Sequence, residues 1–165
     1  MAEAAGDTGI ELAIIRPPLV HGPGVRANFR ALLRLVTSGV PLPFAAVDNR
    51  RSLIFVANLV DLLAEAATHP AADGQVLLAA DGADLSTPDL IRLLAAGLGQ
   101  RAHLFPVPAT TFALLRPLPI IGPPLARLTL SLQVDDAVTR SRLNWRPAVS
   151  AQEGLTATAR AFAGR

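Results

Sequence analysis

The sequence predicts an α/β fold, in which strands and helices alternate along the chain. Three short apolar runs, Glu11–Val20, Leu53–Val56 and Gln75–Ala80, are typical of strands, and the first and third resemble buried strands of a parallel sheet. Between them apolar residues recur every three to four positions, as in Val25–Val36, which indicates amphipathic helices. The chain has 165 residues, of which 51% are hydrophobic, so one domain can bury its own core.

A glycine-rich turn joins the first strand to the first helix. The turn, Gly22-Pro23-Gly24, could present backbone N–H groups to an anion, although it matches neither the dinucleotide-binding pattern nor the P-loop. The helix buries one apolar face, and arginines recur every four residues on another face, at Arg26, Arg30 and Arg34. Gly39 and Pro41 are expected to end this helix.

The remaining elements follow from caps and breakers. Asn58 is expected to cap a second helix that ends at His69-Pro70, and Ser86 with Asp89 has the spacing of a capping box that starts a third helix, closed by glycines. Four elements are predicted in the rest of the chain. They are an extended segment (His103–Val107), a proline-broken stretch of helix or loop (Thr110–Leu130), a short helix (Asp135–Leu143) and a last helix from Ser150 onward. Buried parallel strands need neighbours on both sides, so the sequence predicts a larger sheet than this chain supplies.

The composition excludes several kinds of chemistry. The chain contains no Cys and no Tyr, and all fifteen basic residues are Arg, so thiol, tyrosine and lysine catalysis are absent. A net charge of +2 predicts no nucleic-acid partner. The three histidines lie far apart and predict no metal site. Met1–Gly9 lacks the features of a signal peptide, and Thr111–Leu132 contains prolines and arginines unsuited to a spanning helix, so we expect a cytoplasmic protein without a membrane partner.

Five segments, in this order, resemble the extended short-chain dehydrogenase/reductase family of NAD-dependent epimerases and dehydratases. The likeness covers nearly the whole chain. It lies in a strand with its loop (Ile15–Gly24), a helix start (Ala27–Phe29), a short strand (Gly39–Phe44), a longer motif (Asn49–Asp61) and a terminal motif (Leu143–Pro147). At three positions, Leu19, His21 and Ser52, the chain departs from the residues that the family usually has. These departures favour the branch of UDP-N-acetyl-quinovosamine dehydrogenases.

The resemblance implies that residues 1–165 form a single C-terminal substrate-binding domain. Its fold would be an incomplete Rossmann-type edge, made of the last strands of a parallel sheet, with the small α/β substrate-binding subdomain of the family. The family's other half is a Rossmann domain that carries the NAD(P) loop and a catalytic Tyr-x-x-x-Lys pair. This half is absent, so the resemblance implies an NAD(P)-dependent oxidoreductase or isomerase whose C-terminal part has no catalytic residue and binds no cofactor by itself.

The resemblance also assigns binding residues. Arg51 would contact the diphosphate of a UDP-sugar, or else pair with Asp48 at the surface. Asn28 would meet the phosphate and ribose, or else cap its helix. Leu42 and Phe44 would sandwich the uracil, or else pack in the core.

Two further groups of residues are assigned by the same likeness. Leu19 would contact the sugar, and Pro18 and His21 would face the cofactor, with a rigid strand exit as the alternative for the prolines. Arg127 would be a second phosphate ligand and Asp135 a ribose ligand. Trp145 is expected to pack in the core.

Two functions from different classes remain open at this point. The chain is either the UDP-sugar-binding portion of a sugar epimerase, dehydrogenase or dehydratase, or a stand-alone nucleotide-binding or interaction module. In the second case it would complete its sheet with another chain, either a separate Rossmann half or a second copy of itself.

Overall fold

A computed structural model describes residues 11–164. These residues form two compact units. Unit 1 contains residues 11–20, 52–83 and 134–151, and unit 2 contains residues 21–51, 84–133 and 152–164. Met1–Gly9, for which the sequence predicts no signal peptide, lies outside the described residues.

The described residues contain four short strands, arranged in two pairs. They are β1 (Ile14–Arg16), β2 (Leu19–His21), β3 (Leu53–Phe55) and β4 (Val76–Leu78). β1 pairs in parallel with β4, which confirms the predicted parallel sheet, and β2 pairs with β3. The single strand predicted over Glu11–Val20 is thus two strands, because Pro17 and Pro18 have no N–H to donate to a ladder.

Seven α-helices in this part of the chain follow the order that the sequence predicts. They are α1 (Ala27–Thr37), α2 (Val56–Thr68), α3 (Thr87–Gly97), α4 (Ala109–Leu115), α5 (Gly122–Thr129), α6 (Ala137–Leu143) and α7 (Ala151–Ala163). The proline-rich stretch therefore folds as two helices, and the extended segment before it forms only an isolated bridge with Leu42. None of the helices in residues 11–164 has both the length and the apolarity to cross a membrane.

Helix α2 begins earlier than the sequence predicts, and Asn58 does not cap it. The N-cap is Phe55, whose N–H donates to both carboxylate oxygens of Asp81 at 3.1 and 3.0 Å. Asn58 is buried in the first turn, where Nδ2 donates to Asp81 Oδ1 (2.7 Å) and Val149 O (2.8 Å), and Oδ1 accepts from Val149 N (3.0 Å). The prediction of a cap was wrong because a distant carboxylate already satisfies the helix start.

The core of unit 1 surrounds the single tryptophan. Trp145 is 5% exposed, and its Nε1 donates to Asp61 Oδ2 at 2.8 Å, which confirms the predicted packing role. The buried residues that cluster with it come from β3, α2, β4 and α6 and from adjoining turns: Ile54, Leu62, Ala66, Ala72, Leu77, Ala79 and Leu143.

Unit 2 buries the apolar faces of its helices. The face predicted for α1 is confirmed, with Phe29, Leu32, Leu33 and Val36 buried. Helices α3 and α7 approach closely, because a Cβ at Gly97 would lie only 2.8 Å from Cβ of Ala159. Gly97 is therefore a contact residue within α3, and Gly99, with φ +71°, follows the helix end.

Candidate functional site

Asn28 and Arg127, which lie 99 residues apart in the sequence, meet in unit 2. Arg127 Nη1 donates to Asn28 Oδ1 at 3.1 Å. Asn28 lies in the first turn of α1, and Arg127 lies in the last turn of α5. The alternative that Asn28 caps α1 is wrong, because Arg26 occupies the N-cap position and no side chain caps this helix. The structure thus brings together two residues that the sequence assigned to one ligand.

A pocket of about 250 Å³ opens beside this pair, between α1 and α5. The pair supplies its side-chain polar groups, while its other walls are apolar and come from Ala31, Leu32, Leu35, Pro124 and Leu128. Pockets for small molecules usually combine apolar walls with a few well-placed polar groups. The geometry therefore fits a ligand with a flat or apolar body and an anionic end.

Arg51 lies in an extended segment that is held on both sides. Its N–H donates to Leu85 O and its carbonyl accepts from Leu85 N, both at 3.0 Å, and it forms a parallel bridge with Leu132. The guanidinium Nη1 donates to Leu130 O at 2.9 Å. Arg51 forms no ion pair with Asp48 in the described part of the chain, so that alternative is wrong.

The charge of Arg51 is partly buried beside a carbonyl rather than a carboxylate. Burial lowers the pKa of Arg51 from its ordinary value, because the charged guanidinium loses hydration. The group still remains protonated at neutral pH. A phosphate at this position would compensate the lost hydration, and this favours an anionic ligand.

Asn49, to which the sequence assigned no individual role, fixes the surroundings of Arg51. Its buried Oδ1 accepts from Thr87 N at 2.8 Å, and Nδ2 donates to Leu130 O (3.1 Å) and Leu128 O (3.4 Å). Leu130 O also accepts from Arg51, so the Asn49 amide holds the carbonyl against which that guanidinium rests. The partners lie 38 to 81 residues away, so no local sequence signal could have found this residue.

Leu42 and Phe44 lie in the core of unit 2, each 5% exposed. Leu42 N donates to His103 O at 2.8 Å, and Phe105 N donates to Leu42 O at 3.0 Å. The ring of Phe44 stacks on Phe112, with centroids 5.8 Å apart. Core packing, the alternative that the sequence left open, is thus present, and contact of these two residues with a uracil stays a prediction.

His21 is buried, with 1% of its surface exposed. Its ring stacks on Phe29 with centroids 5.5 Å apart, and Nδ1 lies 3.0 Å from Thr158 Oγ1. The Thr158 hydroxyl donates to Gly154 O at 2.7 Å, so Nδ1 carries the hydrogen and donates to Thr158. Contact of His21 with a cofactor stays a prediction.

Pro18 and Leu19 belong to unit 1, where both are half-buried and Leu19 begins β2. Asp135 is exposed in unit 1, and its Oδ1 accepts from Ala137 N at 3.0 Å, at the start of α6. Contact of Pro18 with a cofactor, of Leu19 with a sugar and of Asp135 with a ribose stays a prediction. No group of three potential metal ligands occurs among the described residues.

The chain is similar to nucleotide-sugar enzymes of about twice its length. It is 45% identical over 159 residues to UDP-glucose 4-epimerase of Vibrio cholerae, an alignment that covers 96% of this chain and 48% of that relative. No family model matches the chain.

Solved structures share the fold. UDP-glucuronic acid 4-epimerase from Bacillus cereus, in complex with UDP-glucuronic acid and NAD, matches with TM-score 0.70 and 19% identity over 98% of this chain and 48% of that one. UDP-glucose 4-epimerase from Thermotoga maritima, with UDP-glucose, matches with TM-score 0.65 and 20% identity over 96% and 48%.

In sequence and in fold the chain is thus similar to part of the NAD-dependent epimerase/dehydratases. Within that class the chain is homologous to part of a member of the extended short-chain dehydrogenase/reductase family, which confirms the predicted resemblance. It spans about half the length of the curated relative that it matches.

Proposed function

We propose that this chain is the UDP-sugar-binding portion of an NAD-dependent sugar epimerase, dehydrogenase or dehydratase. The observation that carries the proposal is the Arg127–Asn28 hydrogen bond at the rim of an apolar pocket. The family resemblance assigned these two residues to one phosphate region although they are distant in sequence. Arg51 supports the same function, because its charge is half-buried and no carboxylate of the described residues pairs with it.

In this proposal the chain binds and orients its substrate. Arg127 and Arg51 donate charge-assisted hydrogen bonds to the diphosphate, since a guanidinium fork can contact two phosphate oxygens. The apolar walls of the pocket take the base and exclude water from it. NAD would supply the hydride chemistry in the complete enzyme, and the proton-transferring tyrosine must come from another segment, because this sequence contains no Tyr.

Calorimetric titration of the folded chain with UDP and UDP-N-acetylglucosamine tests the binding site. Arg127→Gln and Arg51→Gln should each weaken binding by roughly 1.5–3 kcal/mol, about 10- to 150-fold, the value of a hydrogen bond to a charged group. Arg101→Gln is the matched control, because Arg101 is an exposed arginine of the same unit to which the resemblance assigns no contact with the ligand. Absence of heat with both ligands, or an equal loss in the control, would contradict the proposal.

The alternative is a nucleotide-binding or interaction module that completes its sheet with another chain. Within the described residues β1 has a strand partner on one side only, β4, which leaves one edge available for pairing. Co-expression with a Rossmann half from a related enzyme separates the two functions. Recovery of epimerase or dehydrogenase turnover supports the enzyme portion, whereas UDP binding without turnover in a stable complex supports the module.

A further inference from the structure

A second pocket of unit 2 shares no lining residue with the Asn28–Arg127 pocket. It has a volume of about 170 Å³. We call it the arginine pocket. Its lining residues come from the glycine-rich turn, α1 and α7 and include Gly24, Val25, Arg30, Arg34, Thr158 and Phe162. The turn and the arginine row were separate features of the sequence, and the structure brings them to one place.

The positive charge of this pocket is not neutralised by the described residues. Arg30 and Arg34 lie one helical turn apart on α1, both are exposed, and neither has an ion-pair or side-chain hydrogen-bond partner in residues 11–164. Arg26 adds a third charge one turn earlier, and the first turn of α1 contains no acidic residue. Like charges at this spacing destabilise a helix, and a bound anion would remove that repulsion.

The remaining walls suit an uncharged body next to the anion. Val25 and Phe162 are half-buried and present apolar surface. The Thr158 hydroxyl is engaged internally, because it donates to Gly154 O and receives the hydrogen of His21 Nδ1. Gly24, with φ +83°, has no side chain to cover the backbone at this wall. Among the residues that line the pocket, the charged side chains offered to a ligand are therefore Arg30 and Arg34.

We propose that the arginine pocket binds a phosphate monoester that carries a small aromatic or apolar group. Two guanidinium forks on adjacent turns can each donate two hydrogen bonds, and a phosphate offers more acceptor oxygens and more charge than a carboxylate. The apolar walls contact the organic group. The site is separate from the proposed UDP-sugar site and does not depend on it.

Titration of the full chain with phenyl phosphate, followed by calorimetry or amide chemical shifts, tests the proposal. We expect saturable binding that is tighter than that of inorganic phosphate or benzoate. Arg30→Gln and Arg34→Gln should each weaken it about tenfold, as expected for loss of a charged hydrogen-bond donor. Arg101→Gln should change it less than about twofold, because salt screens an exposed charge outside the pocket. Circular dichroism confirms that each variant is folded.

Three results would overturn the proposal. Equal weakening by Arg101→Gln would show diffuse attraction to net charge and no built pocket. Weakening by Arg127→Gln instead of the α1 variants would place phenyl phosphate in the nucleotide pocket. Absence of saturation in a folded sample would show that the two arginines are a solvated helix face.

Discussion

Replacement of Asn49 by leucine tests whether one buried amide holds the candidate site together. Leucine has a similar volume but neither donates nor accepts hydrogen bonds. The change removes the bond from Thr87 N at 2.8 Å and the bond to Leu130 O at 3.1 Å, together with a longer contact of 3.4 Å to Leu128 O.

The magnitude follows from the number and burial of these bonds. Two well-formed hydrogen bonds contribute about 0.5–1.5 kcal/mol each, and the Thr87 N–H, at the start of α3, is left without its acceptor in a buried place. Thr87 Oγ1 still donates to Leu128 O, and Arg51 still donates to Leu130 O, so neither carbonyl loses every partner. We expect a loss of about 2–4 kcal/mol in the free energy of unfolding.

Urea denaturation gives the stability change, and UDP titration of the folded variant gives the effect on the site. Because Leu130 O positions the Arg51 guanidinium, UDP affinity should fall even where the variant is fully folded. Asn49→Asp retains the acceptor for Thr87 N but places a buried carboxylate oxygen against the Leu130 and Leu128 carbonyls, so it should restore neither the carbonyl contacts nor the UDP affinity. A stability loss below about 0.5 kcal/mol in Asn49→Leu would refute this reasoning.

Two substitutions test the backbone contacts of unit 2. Gly97→Ala should lower the free energy of unfolding by about 1–3 kcal/mol, because the new Cβ would lie 2.8 Å from that of Ala159. Urea denaturation measures the change, and Gly99→Ala, where nothing lies within 4 Å of the new Cβ, separates crowding from backbone strain. An unchanged stability of Gly97→Ala would contradict the close approach. Ala27→Gly should raise the free energy of unfolding by about 0.5–1 kcal/mol. Relief of the left-handed backbone conformation at φ 50° outweighs the conformational entropy that glycine adds to the unfolded chain. A lower urea midpoint in Ala27→Gly would show that the entropy term is the larger.

The sequence alone determined the elements that depend on neighbouring residues. The 3.6-residue periodicity predicted α1 and its buried face, and the spacing of Ser86 and Asp89 predicted the start of α3, where Ser86 Oγ accepts from Asp89 N at 3.2 Å. The order of the five motifs along the chain predicted the family. The periodicity and the cap each depend on residues within one or two helical turns, so local physics fixes them.

Only the tertiary structure decided which distant groups meet. Asn58 fills the first turn of α2 because Asp81, 23 residues away, accepts from it, and the pairing of Arg127 with Asn28 spans 99 residues. The resemblance assigned those last two residues to one region, but the sequence could not show the carbonyl that holds Arg51 or the amide of Asn49 that fixes it. Such contacts depend on how packed helices place backbone groups, and no spacing along the chain encodes that placement.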